Sequence, residues 1–170
     1  PETNLVLCGD GPQYEEYRDR FGSRERVCFI GRLNRSELPG IYSAADLFLF
    51  PSTTDTFGMV VLEAQACGLP AFVTDQGGPK EIVIDTQTGF VLPARDISSW
   101  TEKAAYMISL SRNYPEQYLE MRYRTCETAR TQYAWDDALS DLFGVHRTLA
   151  GGVPREYRTS NPPNSKVKAG

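Results

Sequence analysis

Five short, largely apolar runs, each followed by a turn or loop and separated by polar or helical stretches, constrain this chain more than any other feature. The runs are Leu5–Cys8, Val27–Ile30, Asp46–Phe50, Ala71–Val73 and Phe90–Leu92. The first runs into Gly9-Asp10-Gly11-Pro12, the second into Gly31 and the third into Pro51. Between them the spacing predicts helices over Gln13–Arg20, Ser36–Ala45 and Phe57–Cys67. Ser36 is the expected N-cap of the second, Pro39-Gly40 is expected to kink its early part, and Gly68 is the expected C-cap of the third. Helical patterns then fill residues 97–110, 116–132 and 135–149. Strands apolar on both faces, alternating with helices, predict a parallel α/β sheet wound with helices on both sides. Ligands of such sheets sit beyond the carboxyl ends of the strands. The loops of interest are therefore 9–12, 31–35, 51–56, 74–80 and 93–96.

Composition bounds the function. The chain has 170 residues, 18 basic and 22 acidic, with 41% hydrophobic residues, enough for one domain with a sizeable core and too much for a disordered chain. The mildly acidic balance offers no footprint for nucleic acid or for an anionic membrane surface. No apolar stretch approaches the roughly 20 residues of a spanning helix, and Pro1-Glu2-Thr3-Asn4 lacks the basic start and apolar run of a signal peptide. Cys8, Cys28, Cys67 and Cys126 form no CxxC pair and read as small buried hydrophobes, consistent with a reduced, cytoplasmic setting. Zinc would need clustered ligands, and the only histidine is His146. From Ala150 the composition turns to Gly, Pro, Ser and Asn, so residues 1–150 read as the domain and 151–170 as a flexible tail.

The segment from Pro51 to Pro70, PSTTDTFGMVVLEAQACGLP, carries the chemistry. A polar loop leads from a strand into a helix near Phe57. Gly58 lets a ligand approach the backbone, and the first N–H groups with the helix dipole favour an anion such as a diphosphate. Asp55 precedes those groups; its charge suits neutral sugar hydroxyls beside the phosphates, although by position alone a simple helix cap is the favoured account. Glu63 interrupts an apolar helix on the side leading back toward Met59 and Val60. It is either a solvated helix residue or a carboxylate that accepts the paired hydroxyls of a ribose. Asp136-Asp137, beside Trp135, reads as a helix cap, Lys80 as solvated, and Tyr106, Tyr114, Tyr118 and Tyr123 as packing aromatics.

Several of these pieces, in this order, resemble the retaining GT-B glycosyltransferases of the large family four. The resemblance rests on LVLCGDGP (5–12), VCFIGRL (27–33), ADLFLFPS (45–52), DTFGMVVLEA (55–64), CGLP (67–70) and GGPKE (77–81). It implies a Rossmann-like doubly wound sheet forming the C-terminal, donor-binding half of a two-domain enzyme. The family signature is two acidic residues separated by seven others, matched by Asp55 and Glu63, with Asp standing where Glu is usual. By resemblance, Asp55 is the catalytic-site residue on the transferred sugar. Phe57, Gly58, Met59 and Val60 hold the sugar and diphosphate, and Glu63 holds the ribose. Gly31, Arg32 and Leu33 meet the base, with Arg32 stacking on it. Gly77 and Gly78 form a neighbouring loop wall, and Glu81 holds that loop.

The resemblance further implies a UDP- or GDP-linked sugar as substrate, no metal or other cofactor, and transfer with retention. A sugar, lipid or other acceptor would be bound by an N-terminal domain, and any membrane association would be peripheral. The domain's own first strand, with its phosphate-binding Arg and Lys, has no counterpart ahead of Leu5. The expectation is therefore a fragment, inactive alone, whose remaining strands are split or find a substitute partner, and whose open edges favour self-association. Two other functions fit less well. A GT-B nucleotide-sugar epimerase would use other acidic and His residues, and a non-catalytic nucleotide- or sugar-binding module would bind without turnover. A redox dehydrogenase is disfavoured because Gly9-Asp10-Gly11 lacks the GxGxxG continuation.

Overall fold

The structure, a computed structural model, describes residues 3–133. The helix expected over 135–149, the Asp136-Asp137 pair and the 151–170 tail lie outside the described residues. Residues through Ala129 form one compact unit; a second, from Arg130 onward, falls almost wholly outside them.

Among the described residues five strands and five α-helices follow in the order β1 (Leu5–Cys8), α1 (Tyr14–Phe21), β2 (Val27–Gly31), α2 (Leu38–Ala44), β3 (Phe48–Phe50), α3 (Met59–Ala66), β4 (Ala71–Thr74), β5 (Gly89–Leu92), α4 (Ile97–Asn113) and α5 (Pro115–Gln132), alternating as the sequence pattern requires up to β4. A short 3-10 turn, Pro79–Glu81, follows β4. Every strand pair is parallel. Among the described residues the pairs do not join into one sheet: β1 pairs only with β2, while β3, β4 and β5 form a separate sheet in that order. This is the split anticipated from the sequence.

The split corrects the expectation that all strands are covered on both faces. Only β4 is buried along its whole length, and β1 is exposed throughout, with Leu5, Val6 and Leu7 at 44%, 47% and 37% exposure. It also corrects the reading of the cysteines. All four are free, but Cys8 and Cys28 are exposed, because the sheet that carries them is uncovered there; Cys67 and Cys126 are half-buried.

The core lies under β3–β5. Phe72, Phe90, Leu92, Met107, Leu110 and Tyr118 cluster there, with Trp100 and Met121 at the margin. Each large side chain contributes on the order of 2 kcal/mol by leaving water. A second cluster, Tyr42, Ala64 and Leu69, packs α2 against α3 and Phe48. Burial, with the nearby Glu63 carboxylate and the Cys8 and Cys67 thiols, pushes the Tyr42 phenol up to about 12. The folded state therefore favours the protonated phenol. That contribution is intact below pH 10 and is lost as pH rises toward 12, so wild type should fall behind Tyr42→Phe by on the order of 1–2 kcal/mol at pH 11 in urea unfolding.

Helix ends differ from the sequence expectation where side chains intervene. The N-cap of α2 is Glu37 rather than Ser36, and Pro39 sits in the first turn, where its missing N–H removes no helical hydrogen bond, and the helix runs unbroken from Leu38 to Ala44. At the other end, Arg122 of α5 donates to the carbonyls of Ala45 (2.8 Å) and Ser43 (3.0 Å), and the Tyr118 hydroxyl donates to that of Asp46 (2.8 Å). Tyr118 is thus a buried aromatic with a polar task. Arg122→Ala should destabilise the fold by about 2 kcal/mol, measured as a lower urea midpoint at unchanged m-value.

Candidate functional site

The loops following β3 and β4 pack directly on one another. The Ser52 hydroxyl oxygen accepts the N–H groups of Thr54 (3.4 Å) and Asp55 (3.3 Å). The Asp55 carbonyl accepts the Gly78 N–H at 3.0 Å. The Asp55 carboxylate turns back on its own loop, where Oδ1 accepts Phe57 N–H at 3.0 Å and Gly58 N–H at 2.6 Å. This is why α3 begins at Met59 rather than Phe57: two N–H groups are capped ahead of it, and Gly58 adopts a left-handed φ of +91°. Asp55 therefore closes a tight turn just ahead of α3 and does not cap the helix itself, whose N-cap is Gly58, and Oδ2 is left over for another partner.

The consequence for the predicted anion site is specific. Phe57 and Gly58 have their N–H groups engaged, whereas those of Met59 and Val60, in the first turn of α3, have no intrahelical acceptor. The side chains of Phe57 and Met59 are about half exposed, at 47% and 49%. They line the approach to that turn with apolar surface.

Glu63 lies one helical turn further along, four residues after Met59. Its side chain is partly exposed and its Oε1 accepts from the Arg35 guanidinium at 3.3 Å. Arg35 belongs to the loop after β2 and is itself 84% exposed. The contact brings the predicted base loop, Gly31-Arg32-Leu33, into the neighbourhood of the predicted ribose carboxylate. A pair this exposed is worth only about 0–1 kcal/mol and yields readily to a ligand. Within the base loop, the Gly31 carbonyl accepts the Gly9 N–H (2.8 Å), while Arg32 is exposed and Leu33 half-buried. The turn after β1, Gly9–Pro12, is thus tied to the end of β2. Arg35 is a contact the sequence reading missed; its only signal was a position inside a strand-end loop.

Gly77 and Gly78 form the facing wall. Gly77 has a φ of +77°, and a Cβ on it would lie 2.7 Å from the Asp55 carbonyl oxygen; a Cβ on Gly78 would lie 2.0 Å from that of Thr56. The paired glycines are required by close approach of two backbones. The Lys80 ammonium, exposed, lies 3.4 Å from the Asp75 carbonyl.

Residues 1–130 match the family described as Glycosyl transferases group 1. The chain belongs to that family. It is 33% identical over 168 residues to a D-inositol 3-phosphate glycosyltransferase of Salinispora tropica, an alignment covering 93% of this chain and 33% of the relative. The chain therefore spans about a third of that relative's length. Among solved structures it resembles sucrose-phosphate synthase from Thermosynechococcus elongatus (TM-score 0.68, 25% identity, 87% of this chain and 39% of that one). It shares its fold with Anabaena HepE, solved with UDP-glucose (TM-score 0.66, 23% identity, 89% of this chain and 42% of that one). The Rossmann-like α/β reading of this chain holds. Among the described residues no helix is long and apolar enough to cross a membrane.

Proposed function

We propose that this chain is the donor-binding part of a retaining glycosyltransferase, acting on a UDP- or GDP-linked sugar. The observation that carries the proposal is the placement of Glu63, a carboxylate in an apolar helix, one turn beyond the uncapped N–H groups of Met59 and Val60. A ribose diol donating to Glu63 sets the nucleotide so that its diphosphate reaches that first turn, where N–H groups and dipole stabilise the leaving charge. Asp55, through Oδ2, is the group assigned to the hydroxyls of the transferred sugar. Arg32 is assigned to the face of the base, with Gly31 and Leu33 beside it. Family membership and the UDP-glucose held by a protein of the same fold support this reading. The chemistry proposed needs no bound metal, because the helix N-terminus supplies the stabilisation. The acceptor is assigned to another part of the intact protein, and a cytoplasmic location to the whole. The open edge of β1 makes concentration-dependent self-association the expected behaviour of the isolated chain, read by sedimentation velocity.

The test is calorimetric titration of UDP, GDP and ADP into the intact protein, wild type and Glu63→Ala. One nucleotide should bind selectively, and the variant should lose at least about tenfold in affinity, the effect of removing a charged hydrogen-bond acceptor. Equal affinity in the variant, or no nucleotide bound by wild type, would sink the proposal.

A further inference from the structure

Thr74, the last residue of β4, is fully buried, with 0% exposure. Its hydroxyl lies 2.7 Å from the Ser52 carbonyl, in the loop after β3, and 2.9 Å from the Gln76 carbonyl, in the loop after β4. It also accepts the Gln76 N–H at 3.4 Å. These bonds close a ring. From Thr74 the path runs to the Ser52 carbonyl, through the Ser52 hydroxyl to the Asp55 N–H, and from the Asp55 carbonyl to the Gly78 N–H. It returns along the backbone through Gly77 and Gln76 to Thr74.

We infer that Thr74 is a positioning residue of the donor site, the pin that holds the Asp55 loop against the Gly77-Gly78 loop. The inference rests on the donor-site reading above. The hydroxyl has one proton; given to the Ser52 carbonyl it holds the loop after β3, while its oxygen accepts the Gln76 N–H of the loop after β4, so one group ties both loops. Valine has the same shape without the hydroxyl, so it preserves strand packing while opening the ring. The substitution therefore costs loop placement rather than the fold. Asp55, whose carboxylate closes the turn ahead of α3, then drifts relative to Met59 and Val60.

The test compares Thr74→Val and Thr74→Ser with wild type by amide hydrogen exchange on this chain and by nucleotide titration on the intact protein, with Glu63→Ala alongside. In Thr74→Val the Gly58 and Gly78 amides should exchange at least about tenfold faster while α4 amides keep their wild-type rates. Nucleotide affinity should fall about fivefold or more, and Thr74→Ser should restore both. Unchanged exchange at Gly58 and Gly78, or equal acceleration in α4, overturns the inference. So does a loosened loop with wild-type affinity while Glu63→Ala loses binding. Wild-type affinity in Glu63→Ala itself would instead strike the donor reading, and the exchange data would still decide whether the ring exists.

Discussion

Gly89→Ala should cost the three-stranded sheet a large share of its stability. Gly89 opens β5 as the register partner of Ala71 in β4 and has a φ of +152°. A Cβ built there lies 1.8 Å from the Ala71 carbonyl oxygen and 2.7 Å from its carbon. The obstacle is backbone of a fully buried strand, not the end of a flexible side chain, so it cannot swing aside. Relief requires β4 and β5 to separate where Phe72 and Phe90 meet edge to face at 5.3 Å. Backbone strain and overpacking together cost about 4 kcal/mol, against a total stability of about 5–15 kcal/mol for a domain. Circular dichroism with urea unfolding should show either no cooperative transition or a midpoint far below wild type. A wild-type midpoint would mean that β5 does not open against Ala71 as described.

Gly78→Ala should have the opposite balance, a large effect on the site and a small one on the fold. The added Cβ would meet the Thr56 carbonyl oxygen at 2.0 Å and the Phe57 nitrogen at 3.0 Å. Both belong to the loop that presents Asp55 and the start of α3. Normal contact requires that loop to retreat by more than about 1 Å. The Gly78 N–H bond to the Asp55 carbonyl then breaks, and the carboxylate cap on Phe57 and Gly58 shifts with it. Because these loops lie outside the Phe72–Met107 core, the stability loss should stay near about 1–2 kcal/mol, while nucleotide affinity of the intact protein falls at least about tenfold. Comparing the thermal midpoint with the calorimetric dissociation constant separates the two effects. A large drop in midpoint with intact affinity would show that the loop contact is structural only.

Much of this arrangement was legible in the residues because strand and helix periods, turn glycines and apolar runs act locally. The order β1 to α5 follows from them, and element boundaries moved by a few residues. The boundary shifts have causes that no local pattern encodes. The helix expected from Phe57 starts at Met59 because the carboxylate of Asp55 folds back onto two N–H groups. Pro39 does not interrupt α2 because it falls within the first turn, where no helical N–H bond is lost. The family resemblance pointed to Asp55 and Glu63 as a candidate pair, yet Arg35 went unnoticed, since its partner lies 28 positions away in the chain.

The sequence by itself determined the parallel α/β class and put forward the strand-end loops and the acidic pair as candidates, because each depends on residues near one another along the chain. Only the tertiary structure decided which N–H groups of the α3 start remain open, that Cys8 and Cys28 face outward, and that one buried hydroxyl of Thr74 reaches two strand-end loops. Those outcomes depend on which segments meet in space. The contact of Thr74 with Ser52 exists because β3 and β4 pair in parallel with Phe50 opposite Val73, which brings their carboxyl ends side by side.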